Sequence, residues 1–129
     1  MNTRTSTRAF SRVLVAGLAA VALFGGLEWL LFRTQLGDMG LARLKKLTKL
    51  ETLQIGGTKV TDAGLIYLRP FTRLRKLSLF QTQVSNDGIA QLKLLGSLEV
   101  LLITGSKITA AGAEELQRAL PKVRFSENT

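Results

Sequence analysis

The sequence predicts an α/β protein: a short solenoid of parallel strands and short helices, preceded by one N-terminal transmembrane helix. Three observations lead to this prediction. Residues 13–32 form an apolar run with a single charge. From Thr34 onward, apolar residues recur every 24 positions. Each period then divides into a half with strand spacing and a half with helix spacing.

The N-terminal segment comprises residues 1–12, which contain three arginines and no acid. As a helix, residues 13–32 would be about 30 Å long, which is the thickness of the hydrocarbon core of a bilayer. Glu28, their only charge, lies near the far end, where it can reach the lipid headgroups beside Trp29. This segment predicts an uncleaved signal anchor, a single-pass membrane location and a folded domain on the non-cytoplasmic side.

Three other interpretations of the N-terminus remain open, and one of them is an apolar helix in a soluble protein. The triplet Ala20-Val21-Ala22 matches the cleavage pattern of a secretory signal, although only seven apolar residues precede it. Secretion after cleavage is therefore the alternative location. An acid-poor segment rich in Arg, Ser and Thr is also typical of an organelle transit peptide. Sidedness stays open because the basic residues between positions 33 and 49 compete with the N-terminal arginines under the positive-inside rule.

The domain at residues 34–125 is organised by the 24-residue repeat. Stepping by 24 aligns Leu53 with Leu77 and Leu101, and it aligns glycines and further leucines in the same phase. A period of this length predicts stacked units that share one core. The prediction begins with a half unit at residues 34–47. Three units with one strand each follow, at residues 48–71, 72–95 and 96–120. A closing cap at 121–125 and a tail at 126–129 complete the chain as given.

Each unit combines a strand with a short helix. Leu53 and Ile55 are two residues apart, as on one face of a strand, whereas Leu65 and Leu68 are three apart, as on the buried face of a helix. Hydroxyl side chains are expected to cap the helix N-termini, at Thr61, Ser85 and Thr109. Acids are expected in the first helical turn, at Asp38, Asp62 and Asp87.

This pattern resembles the leucine-rich repeat family, most closely its cysteine-containing, ribonuclease-inhibitor-like subtype as found in many bacterial proteins. Residues 50–68, LETLQIGGTKVTDAGLIYL, match the consensus LETLxLxxTxVTDAGLxxL almost throughout. The resemblance implies concave strands, convex helices and a protein that binds ligands rather than transforming them. Ala110 departs from the pattern by replacing an acid. Other subtypes often have Asn or Cys at a position that carries a hydroxyl residue here, at Thr58, Thr82 and Ser106. We expect these hydroxyls to form hydrogen bonds with backbone groups.

The composition argues against catalysis. The 129 residues include no cysteine and no histidine, which removes disulfides, thiolate nucleophiles, the usual general base and the commonest metal ligands. Glu114 and Glu115 are adjacent, so on a helix they point in different directions and cannot share a substrate. We expect no enzyme activity, no cofactor, no metal site and no small-molecule substrate.

The charge is strongly basic, with 18 Lys and Arg against 9 Asp and Glu and a net charge of +9. Four of the basic residues fall near helix C-termini, where a cation interacts favourably with the helix dipole, at Lys45, Arg69, Lys93 and Arg118. Aromatic residues do not alternate with them, as stacking on single strands would require. Nucleic acid is therefore not expected, whereas docking on anionic lipid or another polyanion remains an alternative.

Outward positions on the strands form the candidate binding site. By alternation from the inward leucines, the site comprises Thr52, Gln54, Lys76, Ser78, Phe80, Val100, Leu102 and Thr104. Phe80, Val100 and Leu102 are apolar where polar residues are usual, and Arg75 and Glu99 flank them. Exposed apolar clusters often mark interfaces, although cover by a cap or loop is an alternative explanation.

The sequence thus predicts a membrane-anchored interaction module without catalytic activity. Its concave strands are expected to bind a partner protein, which the sequence does not identify. A scaffold that associates with itself is a second alternative, because a short solenoid has two exposed ends.

Overall fold

The computed structural model describes residues 22–24, 28–30 and 37–126. At its centre lies one sheet whose strands are β1 (Ala22–Phe24), β2 (Glu28–Leu30), β3 (Thr52–Gln54), β4 (Lys76–Ser78), β5 (Val100–Leu102) and β6 (Arg124–Ser126). The strands follow one another across the sheet in chain order. β1 and β2 are antiparallel, and every later pair is parallel. This is the predicted α/β arrangement with parallel strands.

Short helices connect the parallel strands. They are α1 (Asp38–Ala42), a 3₁₀ helix (Asp62–Leu68), a 3₁₀ turn (Asn86–Gly88) that continues as α2 (Ile89–Leu92), and α3 (Ala110–Ala119). The unit at residues 48–71 therefore has a 3₁₀ helix at the position of its predicted short helix. At about 2.0 Å per residue, a 3₁₀ helix covers in seven residues a length that would take an α-helix about nine.

The core lies between the sheet and the helices. Leu53, Leu77 and Leu101 stand opposite one another in the strand register and are fully buried. Helix residues such as Leu65 and Leu92 pack against them from one side. Because all helices lie on that side of the core, the opposite face of the sheet, here called the strand face, is left for the outward side chains of β3–β6.

The predicted hydroxyl column is confirmed and lies inside the stack. Each hydroxyl donates a hydrogen bond to the carbonyl oxygen three residues earlier, over 2.7 Å for Thr58, 2.8 Å for Thr82 and 2.6 Å for Ser106. These bonds help to satisfy carbonyl groups at the turn that follows each strand. The Leu79 and Ile103 carbonyls also accept hydrogen bonds from the backbone amides of Thr82 and Ser106. The turn is therefore the same in all three units.

The predicted N-caps are also confirmed, and the structure adds a side-chain ladder that links neighbouring caps. The Thr61 oxygen accepts a hydrogen bond from the Ala63 amide, and equivalent bonds occur at Ser85 and Thr109. Each capping residue is itself held by a side chain from the preceding unit. The rungs of this side-chain ladder are Asp38–Thr61, Asp62–Ser85 and Asn86–Thr109.

The side-chain ladder explains why glycines recur every 24 residues in the repeat. A Cβ atom added to Gly88 would lie 2.6 Å from the Asp62 Oδ1 atom, and one added to Gly112 would overlap Asn86. Gly64 stands in the same relation to Asp38. Each glycine thus leaves the space that a side chain of the preceding unit fills.

The predicted helix over residues 13–32 is not found where the structure describes that segment. Ala22–Phe24 and Glu28–Leu30 are strands, and Trp29 stands opposite Leu53 in the parallel register. The offset is again 24 residues, so the unit predicted to begin at Thr34 has its strand at Glu28–Leu30. The reason is that this end of the apolar run continues the repeat phase and supplies backbone hydrogen bonds to the otherwise open edge of β3.

Within the described ranges, every helix is too short or too polar to cross a bilayer. The predicted basic segment 1–12, most of the proposed anchor and residues 127–129 of the tail lie outside the described residues. So do Ala20 and Val21 of the possible cleavage site. The predicted cap at 121–125 is represented by β6, which begins at Arg124 and extends to Ser126.

Candidate functional site

The strand face carries a shallow cavity that gathers most of the predicted site residues. The cavity has a volume of about 160 Å³ and opens across β3, β4 and β5. It is lined by Thr52, Gln54, Lys76, Leu77, Ser78, Val100 and Leu102. Six of the eight predicted positions therefore lie together around one depression, because the parallel register aligns residues that are 24 apart.

The lining of this cavity is chemically mixed. Thr52 and Ser78 are only 9% and 8% exposed, so their hydroxyls lie at the bottom of the depression. Lys76 is exposed at one side, whereas Val100 and Leu102 are half-buried at the other. A ligand on this surface would meet a cation, two hydroxyls and an aliphatic wall.

Two of the predicted residues, Phe80 and Thr104, do not line the cavity. Phe80 lies beyond the end of β4 and crosses over Gly56, where an added Cβ would be 3.0 Å from the Phe80 Cβ. The Phe80 carbonyl also accepts a 2.8 Å hydrogen bond from the Gly57 amide. Phe80 is thus half-buried by its own neighbours, and the predicted apolar cluster is reduced to Val100 and Leu102.

Arg124 is a strand-face residue that the sequence reasoning missed. In the register it stands opposite Val100, which stands opposite Lys76, and its side chain is exposed. One further step of 24 from Val100 would have identified it. Arg124 falls in the segment predicted as a closing cap, so the predicted site ends at Thr104.

A charge network borders the cavity where the strands begin. The Arg75 guanidinium donates to both carboxylate oxygens of Glu99, over 3.0 and 3.1 Å, and lies 3.7 Å from a Glu51 oxygen. The hydrogen bond from Arg75 lowers the pKa of Glu99, an effect that desolvation opposes and that the nearby charges of Lys76 and Arg124 reinforce. Glu99 is therefore held as a carboxylate beside the strand face.

A second depression of about 510 Å³ lies at the same end of the strands. Its walls include Arg73, Lys122 and the Glu51–Arg75–Glu99 network. The depression contains both signs of charge, and Leu98 contributes apolar surface. None of the eight predicted site residues lines it.

The basic column near the helix ends is largely engaged within the protein. The Arg69 Nε atom donates to Gln91 over 3.0 Å, and Lys93 forms a 2.6 Å ion pair with Glu115. Arg118 lies 3.8 Å from Glu114. The ion pairs of Lys93 and Arg118 reduce the cationic character of the surface on which docking to a polyanion would depend. Among the described residues, no three His, Cys, Asp or Glu side chains cluster as metal ligands would.

In comparison with known proteins, one repeat unit of this chain matches the sequence model of a family. A sequence model of the family described as "Leucine Rich repeat" matches residues 46–68, which contain β3, Thr58, the Thr61 cap and the 3₁₀ helix. No curated protein matches the chain. Among solved structures, an internalin of Listeria monocytogenes matches with a TM-score of 0.49 and 19% identity, over 69% of this chain and 31% of the internalin chain. The chain spans about a third of the length of this internalin chain. Residues 46–68 are thus similar to the leucine-rich repeat family over one repeat unit.

Proposed function

We propose that the protein is a non-catalytic interaction module that binds a partner protein through the concave strand face. The observation that carries this proposal is the cavity across β3–β5, which collects six of the eight positions predicted from sequence. The cavity combines an aliphatic wall with hydroxyl and cationic groups, a mixture suited to a protein surface. We also assign the repeats to the ribonuclease-inhibitor-like subtype, which the hydroxyl column and the match of residues 50–68 to its consensus support.

The fold favours binding by holding these side chains in place before a partner arrives. Three strands in fixed register and the buried turns between them position the lining residues, so little conformational entropy is lost on association. Hot spots at interfaces are usually well-packed side chains near the centre of the contact. Val100 and Leu102 occupy such a position on this face, and Leu102 is the better single probe because it lies farther from the charge network.

The test is capture of partners by the full-length protein and by Leu102→Asp. Leu94→Asp is the matched control, because Leu94 is a 60% exposed leucine outside the strand face. Captured proteins are identified by mass spectrometry, and each candidate is then purified and titrated against the three forms. We expect binding to wild type and to Leu94→Asp, with at least a tenfold loss for Leu102→Asp. Equal binding to all three forms would exclude the strand face as the site.

We further propose that the apolar residues before the repeats attach the module to a membrane, with the repeats on the non-cytoplasmic side. The support is the run of residues 13–32 with its single charge. Residues 28–30 cannot serve both as β2 and as part of a membrane helix, so the anchor would have to end before them or replace β2. Alkaline carbonate extraction separates these cases from a secreted protein: an anchored full-length chain stays in the pellet, whereas residues 34–129 are released.

A further inference from the structure

The outward residues of β3–β6 form two rows across the strand face, set by the parallel register. The first row is Thr52, Lys76, Val100 and Arg124. The second row is Gln54, Ser78, Leu102 and Ser126. Lys76 and Arg124 are the charged residues of these rows, and both are basic and exposed. The part of the face on β3–β6 is therefore cationic, and the acid Glu28 of β2 stands opposite Thr52 in the register, at the other end of the first row from Arg124.

Neither cation forms an ion pair within the described part of the chain. The acid beside them is Glu99, which influences both residues electrostatically. However, both Glu99 carboxylate oxygens already accept hydrogen bonds from Arg75. Lys76 and Arg124 thus remain available to carboxylates from outside the chain.

The two cations stand on either side of an aliphatic residue. Lys76 and Arg124 lie on β4 and β6, with Val100 on β5 between them. Neighbouring strands are about 4.8 Å apart, so the two positions are separated by about 10 Å. The adjoining cavity of about 160 Å³ is large enough for one aliphatic side chain, since an engineered apolar cavity of about 150 Å³ binds benzene.

From this arrangement we propose that the partner presents an acidic segment in which an aliphatic side chain is flanked by carboxylates. The aliphatic side chain would enter the cavity beside Val100 and Leu102. The two carboxylates would reach Lys76 and Arg124. This inference rests on the proposed function, because it specifies what the strand face recognises.

A segment with separate carboxylates fits this surface better than a phosphate polymer or an anionic bilayer. The face offers two cations separated by an apolar residue rather than a continuous basic surface. Glu51 and Glu99 stand at its border, where they would repel a uniformly anionic partner. Discrete acids beside an aliphatic residue can avoid that border and still pair with both cations.

The experiment measures binding of fluorescent peptides to the full-length protein in detergent. The test peptide has the core Glu-Ala-Leu-Ala-Glu, which in an extended strand places both acids and the leucine on one face. The comparison peptides replace both Glu by Lys, or replace Leu by Ser. We expect each replacement to weaken binding at least fivefold.

The decisive variant reverses both charges, Lys76→Glu with Arg124→Glu. It should bind the Glu peptide at least tenfold more weakly than wild type and should prefer the Lys peptide. The matched control is Lys59→Glu with Lys107→Glu, which makes the same change in net charge at two exposed lysines outside the rows. The proposal is overturned if the control loses as much affinity, or if the Glu and Lys peptides bind wild type equally.

Two further outcomes separate this proposal from others. A native partner lost by Leu102→Asp but retained by the charge-reversed protein would preserve the proposed function and overturn the acidic specificity. Vesicles containing phosphatidylserine provide the second comparison, with phosphatidylcholine vesicles as the reference. If charge reversal abolishes binding to the anionic vesicles while no peptide is preferred, the two cations serve a membrane surface and the acidic-segment proposal fails.

Discussion

Gly105 and Gln81 occupy equivalent turns, and both have backbone torsions in the left-handed region. The φ angle is 79° at Gly105 and 53° at Gln81, while Gly57 in the first such turn has a φ of 73°. The repeat therefore needs a left-handed residue at this position. Glycine meets the requirement without a steric cost, whereas Gln81 adopts it with a side chain.

We predict that Gly105→Ala destabilises the protein by about 1–2 kcal/mol, because alanine disfavours positive φ. The new Cβ would also lie 2.8 Å from the Gln81 Cγ atom. Urea denaturation measures the change in free energy of unfolding. Gly96→Ala is the control, since its φ is not positive and an added Cβ has no atom within 4 Å. Equal destabilisation of both variants would contradict the prediction.

Glu99 provides a prediction of pH dependence. Its pKa is lower in the folded state because Arg75 donates hydrogen bonds to the carboxylate. At pH values above 4.5, the ordinary pKa of the carboxyl group, the interaction therefore stabilises the fold. This stabilisation is lost as the pH falls through the lowered pKa that Glu99 has in the folded state. Urea midpoints should fall more steeply for wild type than for Glu99→Gln between about pH 5 and pH 3. Parallel profiles would show that the pair contributes nothing to stability, and high salt should reduce any difference.

At the scale of elements, the side-chain ladder couples the start of each helix to the next unit. Asp62 accepts a 2.7 Å hydrogen bond from the Ser85 amide and another from the Ser85 hydroxyl. We predict that Asp62→Ala lowers the free energy of unfolding by about 2 kcal/mol, because it leaves a partly buried amide and hydroxyl without their charged acceptor. Urea denaturation gives the value.

Two comparison variants make this prediction specific. Asp87 also lies in a first helical turn but is exposed and has no partner in the following unit, so Asp87→Ala should cost less than about 0.5 kcal/mol. Asp62→Asn should cost less than Asp62→Ala, because Asn86 already makes the equivalent contact with Thr109. If the Asp62 and Asp87 alanine variants lose the same stability, only the helix dipole is involved.

Elements defined by residues close in sequence could be predicted well, and contacts between units could not. The strands β3–β5, the N-caps and the hydroxyl column follow from alternation and local hydrogen bonding, and they appear where the sequence placed them, whereas β1 and β2 were not predicted. The first-turn acids were assigned to the helix dipole, whereas Asp38 and Asp62 bind capping residues 23 positions later. Such a contact depends on how one unit stacks on the next, which no single unit encodes.

In the proposed binding surface, too, the repeat spacing could be predicted from the sequence, whereas a contact between units could not. The 24-residue step groups eight outward residues, and six of them line the cavity. It could not show that Phe80 is covered at Gly56, because that contact depends on the turn geometry of the neighbouring unit. The same 24-residue step from Val100 leads to Arg124. Arg124 is absent from the predicted site because the cap was predicted as a segment separate from the repeat.

At the scale of the whole molecule, the question is where the solenoid begins. A step of 24 back from Leu53 reaches Trp29, and the structure pairs these residues. The apolar run obscured this step, because the same residues satisfy the length and hydropathy of a membrane helix. The unit at the N-terminal end therefore has a strand of its own, and residues 34–129 alone would leave one edge of β3 open.

We predict that residues 22–129 are more stable than residues 34–129 by about 2 kcal/mol, the net value of a few backbone hydrogen bonds between β2 and β3. Urea denaturation of the two fragments measures the difference. A third fragment, with residues 22–33 shuffled, keeps the apolar composition but breaks the register. It should be no more stable than the shorter fragment. If the shuffled and native sequences stabilise equally, the apolar residues act without strand pairing, and the solenoid begins at the unit that contains β3.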